Sequence, residues 1–180
     1  MFYYEKTGAL LQIFWGEEFI SQIAAALFTT QITSLAKSAT KEELLEELDR
    51  LERRVFHKKA IALLSRRSYF SLELAAKMEQ LYFSKELTHE MLLELKKYYF
   101  DDDFFVDSFI LNQLEKLRSP YAITQKLIQK YVPLSWIESR LQALYTAARK
   151  ERIIAALKRK TGKEGYEFAA YLYKKGFCDL

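Results

Sequence analysis

The stretch LELAAKMEQLYF, residues 72–83, decides the fold because its apolar pattern returns twice further along the chain. A shift of 49 residues overlays it on AITQKLIQKYV, and a further shift of 45 overlays that on EFAAYLYKKGF. The positions that coincide are Leu74, Met78, Tyr82 and Phe83, then Ile123, Leu127, Tyr131 and Val132, and last Phe168, Leu172, Gly176 and Phe177. Such self-similarity at a near-fixed period is typical of a helical repeat protein.

Other apolar segments with helical spacing flank these copies. AIALL, FFVDSFIL and RIIAAL precede the three copies, and EMLLELKKYYF and SWIESRLQALY follow the first two. The sequence therefore predicts a mostly α protein of tandem three-helix repeats stacked in an elongated curved array. We assign residues 57–100 to repeat 1, 101–147 to repeat 2 and 148–180 to repeat 3, which is truncated to about two helices.

The first 40 residues form a separate segment with a β pattern. In ALLQIFWGEEFISQI (9–23) two apolar runs flank Gly16, which can take positive φ in a tight turn, so we predict a small β-hairpin. A short helix from Glu17 onward is the competing interpretation.

A linker helix over 41–56 follows this segment. Thr40 and Glu43 stand at capping-box spacing and precede leucines at helical intervals, which predicts a helix start. The helix either continues into HKKAIALLSRR or breaks near Phe56 and His57.

Composition favours a folded, helical, intracellular protein. Half of the 180 residues are hydrophobic, and only five glycines and two prolines interrupt them. We expect no membrane span and no signal peptide, and hence a cytoplasmic location. Cys178 is the single cysteine, so no internal disulfide can form. Residues 1–56 carry a net charge of −3 and residues 57–180 one of +7, which suits an acidic or polyanionic partner.

Three adjacent carboxylates, Asp101 to Asp103 in YYFDDDFFVDSFI (98–110), raise the question of a metal or catalytic site. They fall between two predicted helices, where aspartates cap free N–H groups, and capping is the favoured interpretation. No phosphate-binding loop or nucleophile motif is present, and His57 and His89 lack ligand spacing. We therefore predict no enzyme activity, no catalytic residue, no metal site and no cofactor.

Clusters of basic residues are the candidate contacts to a partner. They bracket the first helix of repeat 1 and run through repeat 3: Lys58, Lys59, Arg66, Arg67, Arg149, Arg152, Lys158, Arg159, Lys174 and Lys175. Arg152 and Arg159, seven residues apart, share a helix face, which Lys163 would join if the helix continued through Gly162. Ordinary solvated helix faces are the alternative reading of this pattern.

Several of these motifs together resemble the RecX family, whose members regulate the RecA recombinase. The resemblance covers about residues 9–178. It is carried by AIALLSRRSYFSLELAAKM, by YLYKKGF, and by Tyr99, Phe100, Asp101, Asp102, Phe105, Val106, Phe109, Ile110, Ile123, Leu127 and Lys130. The family usually has glycine where this chain has Tyr82, Tyr98 and Tyr131, so the corresponding helix ends must close without it.

The resemblance implies a non-enzymatic regulator. Such a protein binds the RecA filament, as a monomer in our expectation, and inhibits its assembly, ATP turnover, strand exchange and co-protease role in recombination and the SOS response. The alternative function is direct binding of single- or double-stranded nucleic acid through the same basic face.

Overall fold

A computed structural model describes residues 1–28 and 31–177 of the chain. The chain divides into two compact units, Met1–Tyr99 and Phe100–Leu180. The described residues form three strands and ten helices, so the predicted fold class, mostly α with a small amino-terminal β element, is confirmed. Cys178 lies outside the described residues.

The amino-terminal segment is a three-stranded antiparallel sheet in the order β1-β2-β3. Its strands are β1 (Phe2–Thr7), β2 (Leu10–Trp15) and β3 (Glu18–Ala24). The predicted hairpin is β2-β3, so the alternative of a helix from Glu17 is wrong. Gly8 and Gly16 each begin a two-residue turn at φ +61°, a region that favours glycine at hairpin turns.

One face of the sheet enters the core of the first unit. Leu11, Ile13 and Ile23 are buried on that face, which the short helices α1 (Ala25–Phe28) and α2 (Ile32–Leu35) extend. On the other face Tyr3 stacks on Phe14 with ring centroids 4.9 Å apart. The sheet is therefore apolar on both faces, and only one of them is buried.

Helix α3 (Lys41–Leu64) begins where the capping box predicts. The Thr40 hydroxyl accepts from the Glu43 N–H at 3.2 Å, and the Glu43 carboxylate accepts from the Ala39 N–H at 2.8 Å. The helix passes Phe56 and His57 without a break. The segment 41–56 and the first helix of repeat 1 are consequently one helix, as in the continuous alternative.

The remaining helices follow the repeat pattern. Repeat 1 is completed by α4 (Ser71–Glu79) and α5 (Lys85–Tyr99), and repeat 2 comprises α6 (Asp102–Glu115), α7 (Pro120–Ile128) and α8 (Leu134–Leu144). Helices α9 (Ala147–Thr161) and α10 (Gly165–Lys174) form the described part of repeat 3. In both complete repeats the third helix packs against the first and the second.

The second helix of every repeat ends in the same backbone motif. The N–H groups of Phe83, Val132 and Phe177 donate to carbonyl oxygens five residues earlier, at 3.4, 3.1 and 3.0 Å. The residues before them are left-handed, with φ of +66° at Tyr82, +64° at Tyr131 and +83° at Gly176. This is the Schellman arrangement. The positions aligned from the sequence are thus structurally equivalent, and two tyrosines adopt a conformation that favours glycine.

Candidate partner-binding surfaces

In the first unit the predicted basic residues separate into free and engaged side chains. Lys58, Lys59 and Arg66 form no side-chain hydrogen bond or ion pair with another described residue. Arg67 instead donates to both carboxylate oxygens of Glu73, at 2.6 and 3.1 Å, and its guanidinium lies 3.7 Å from the centre of the Tyr69 ring. These hydrogen bonds raise the pKa of Arg67 further. Arg67 therefore holds the start of α4, and its guanidinium is engaged within the fold and not free for a partner.

Helix α9 presents the predicted pair of arginines. Arg152 and Arg159 are exposed and project from one face, since seven residues make almost two turns. Lys163 was expected to join this face only if the helix continued through Gly162. The helix instead ends at Thr161, and Gly162 takes φ +66°, so Lys163 does not extend the face. Lys158 pairs with Glu164 at 3.1 Å, outside the helix.

Other predicted basic residues of repeat 3 are used within the fold. Arg149 donates from Nη1 to the Leu144 carbonyl and so closes the end of α8. Lys175 places its Nζ 5.7 Å from the centre of the Tyr171 ring. Lys174 is exposed and makes no such contact with a described residue. Of the predicted basic residues in this unit, Arg152, Arg159 and Lys174 are thus exposed and engaged by no described side chain.

The three carboxylates take different structural roles. Asp101 accepts from the Phe104 N–H at 3.1 Å and caps α6, so the capping interpretation is confirmed for this residue. Asp103 pairs with Arg140 on α8, and Asp102 is buried. Within residues 1–28 and 31–177 no three side chains of metal-ligating type converge.

Sequence reasoning missed an acidic groove in the first unit. It has a volume of about 970 Å³ and is lined by β3, α3, the α4–α5 turn and α5. Arg53 crosses it, donating to Glu90 at 2.7 and 2.9 Å and to Asp49 at 2.8 Å. Burial, with Asp49 nearby, raises the pKa of Glu52 in this groove to about 7.

The pair across this groove has a counterpart in repeat 2. A shift of 50 residues places Arg53 on Asp103 and Glu90 on Arg140, which also form an ion pair. Each complete repeat therefore joins its first and third helices by an ion pair at the same positions, with the signs exchanged. The sequence carries a signal for this pairing, because the buried residues Phe56 and Val106 are also 50 positions apart. Aligning the two repeats at that offset places the two ion pairs on the same positions.

These features define a class: helical-repeat proteins with an amino-terminal antiparallel sheet. No family model matches the chain. It is 26% identical over 145 residues to the regulatory protein RecX of Caldanaerobacter subterraneus subsp. tengcongensis, covering 78% of this chain and 74% of that one. A crystal structure of a regulatory protein RecX superposes with a TM-score of 0.62 at 16% identity, covering 98% and 92% of the two chains.

The sequence similarity and the matching fold both support the resemblance to the RecX family of regulatory proteins. Among the described residues, none of the helices combines the length and the apolar character needed to cross a bilayer.

Proposed function

We propose that the protein binds the filament of the RecA recombinase and restrains it. The proposed effects are inhibition of filament assembly, ATP turnover, strand exchange and co-protease activity during recombination and the SOS response. The relationship to RecX carries this proposal. We further propose that the protein acts in the cytoplasm as a non-enzymatic monomer without a cofactor.

Exposed cations support this mode of action. Lys58 and Arg66 in the first unit, and Arg152, Arg159 and Lys174 in the second, are exposed, whereas Lys59 is half-buried. Single exposed ion pairs contribute little, typically below about 1 kcal/mol, so binding must sum over many of them. An array of repeats suits this summation, because each repeat contributes a contact to a neighbouring subunit of a repetitive partner.

ATP turnover by purified RecA on single-stranded DNA tests the proposal. We expect inhibition by this protein, and relief when Arg152, Lys158 and Arg159 are changed to glutamate. The matched control reverses three exposed lysines outside the candidate set, Lys6, Lys37 and Lys116, and should inhibit like the unsubstituted protein. Absence of inhibition at excess protein and low salt would exclude the proposal for this chain.

Direct nucleic-acid binding is the second candidate, favoured by the charge of repeat 3. Residues 147–177 hold nine basic and three acidic side chains, a net charge of +6. If the basic face neutralises phosphates, affinity for DNA without RecA will fall steeply and linearly on a plot of log K against log salt concentration. The same three glutamate substitutions should then reduce the slope of that plot.

A further inference from the structure

The acidic groove of the first unit runs along an edge of the sheet that carries no further strand. The sheet has the order β1-β2-β3, so β3 pairs with β2 on one side only. Residues 19–22 of β3 line the groove, and no residue of β1 or β2 does so. The groove therefore lies beside the open edge of β3.

The backbone at this edge is available for pairing. Among the described residues, the N–H and carbonyl groups of residues 19–22 form no hydrogen bond outside the sheet. An open strand edge presents such groups in a row, and an extended segment of another chain can pair with them. The groove volume of about 970 Å³ leaves space beside β3 for a short segment of this kind.

The charged side chains that line the groove are mainly acidic. Seven of them carry a net charge of −3, with five carboxylates against two cations: Asp49, Glu52, Glu79, Glu86 and Glu90 against Arg53 and Lys85. The carboxylates come from α3, from the end of α4 and from α5. They therefore match cations spread along a segment of chain better than they match a single ion.

Three of the carboxylates have no partner within the described part of the chain. Asp49 and Glu90 accept hydrogen bonds from the Arg53 guanidinium, which shows that a guanidinium fits in this groove. Glu52, Glu79 and Glu86 form no ion pair or side-chain hydrogen bond with a described residue. Glu79 and Glu86 are exposed and Glu52 is half-buried, so all three are free to pair with cations of another chain.

Two aromatic rings add to this preference for cations. Phe19 and Tyr82 line the groove, and each is 52% exposed. The faces of aromatic rings attract arginine and lysine side chains, as Arg67 against the Tyr69 ring illustrates in the same unit. The groove thus combines an open strand edge, unpaired carboxylates and exposed rings, which together suit a basic segment in an extended conformation.

We propose that the acidic groove binds an extended basic segment of a partner protein. This segment adds to the sheet as a fourth strand beside β3 and places lysine or arginine side chains against Glu52, Glu79 and Glu86. The inference goes beyond the proposed function, whose candidate surfaces are basic, because it assigns a partner segment of the opposite charge to a different surface.

Fluorescence anisotropy on the full chain tests the inference with a labelled peptide of alternating arginine and valine, which in a strand presents its arginines on one face. The measurement is made at pH 8, where Glu52 with its pKa of about 7 is ionised. We expect binding that weakens with salt, and a loss of about tenfold or more in affinity when Glu79 and Glu86 are both changed to lysine. A peptide with glutamate in place of arginine should not bind.

Glu46→Lys combined with Glu115→Lys is the matched control. Both residues are exposed glutamates, neither lines the groove, and the double change alters the net charge by the same amount. This variant should bind the peptide as the unsubstituted protein does.

Methylation of the peptide backbone separates strand pairing from charge attraction. Successive N–H groups of a strand point to opposite edges, so methylating only the arginine nitrogens or only the valine nitrogens blocks one edge at a time. We expect one of these two peptides to lose about tenfold or more in affinity, because its methyl groups face β3, and the other to bind like the unmodified peptide.

Four results would overturn the inference. The first two are absence of binding at low salt and binding that the reversal of Glu79 and Glu86 leaves unchanged. The third is an equal effect of the two methylation patterns, which would leave charge attraction without strand pairing. The fourth is self-association of the chain that the same charge reversal abolishes, which would make a second copy the occupant.

Discussion

Ser119 donates a hydrogen bond from its hydroxyl to the backbone carbonyl of Lys175, 56 residues further along the chain, at 2.7 Å. The same oxygen accepts from the Ala122 N–H at 3.2 Å and so caps α7. Ser119 is buried, and Gly176 packs directly beside it. One hydroxyl therefore holds together the start of α7 and the end of α10.

Replacing Ser119 by alanine should destabilise the second unit. The change removes a helix cap and leaves the Lys175 carbonyl without this donor, which together cost about 1–3 kcal/mol. Urea unfolding followed by circular dichroism measures the loss. Thr146→Ala is the matched control, because Thr146 is an exposed cap of α9 and should cost less. Equal losses in the two variants would contradict the double role of Ser119.

Replacing Gly176 by alanine should destabilise more than replacing Gly162. Both glycines are left-handed, which costs an alanine about 1 kcal/mol or more. A Cβ at Gly176 would also lie 3.0 Å from the Ser119 hydroxyl and 3.1 Å from the Tyr121 ring, whereas one at Gly162 meets open space. Differential scanning calorimetry should therefore give the lower Tm for Gly176→Ala. The reverse order of Tm would refute this account of the packing.

Replacing Tyr82 or Tyr131 by glycine should stabilise the protein. Each tyrosine has a left-handed backbone conformation, and its side chain is more than half exposed. Glycine therefore relieves the backbone strain and removes little buried apolar surface. We expect a gain of about 0.5–1 kcal/mol in the free energy of unfolding for each variant. Tyr98→Gly is the control, since Tyr98 lies within helical α5 and should lose stability. A fall in Tm for Tyr82→Gly and Tyr131→Gly would show that their rings contribute more than the strain costs.

Glu52 should make stability fall as the pH rises toward neutrality. Its pKa is raised from 4.5 to about 7, so between these values the native state binds more protons than the unfolded chain. The free energy of unfolding therefore decreases as the pH rises from about 4.5 to about 7, and this contribution levels off above that range.

Substitution to glutamine should remove that contribution. Thermal unfolding across this pH range should show a smaller decline for Glu52→Gln than for the unsubstituted protein. Glu46→Gln, on an exposed part of the same helix, should keep the full decline. If Glu52→Gln declines as steeply as the unsubstituted protein, burial of this carboxyl is not what couples stability to pH.

Much of the fold could be predicted from the sequence because its signals are local or repeated. The Thr40 and Asp101 caps are local, and the Schellman turns recur at Tyr82, Tyr131 and Gly176. Strand β1 was not predicted because FYYEKT lacks an alternating apolar pattern and is mostly exposed. The strand is held by its antiparallel backbone pairing with β2, which the sequence pattern of β1 does not reveal.

The candidate surfaces were less predictable, because the sequence does not show whether a basic side chain pairs with another group of the fold or stays in solvent. Arg67 and Arg149 resemble Arg66 and Arg152 in sequence, yet Glu73 and the Leu144 carbonyl engage the first two. The continuity of α3 was ambiguous for a related reason. Phe56 fits both a helix interior and a helix end, and only packing against the rest of the first unit decides between them.

The uninterrupted α3 also affects how the first unit unfolds. Its 24 residues span about 36 Å, and at its start Lys41 is joined to Glu18 of β3 at 2.6 Å. Toward its other end, α3 packs against α4 and α5. Since Leu11, Ile13 and Ile23 of the sheet are also buried in the core of this unit, we expect the sheet and repeat 1 to unfold together in one cooperative step.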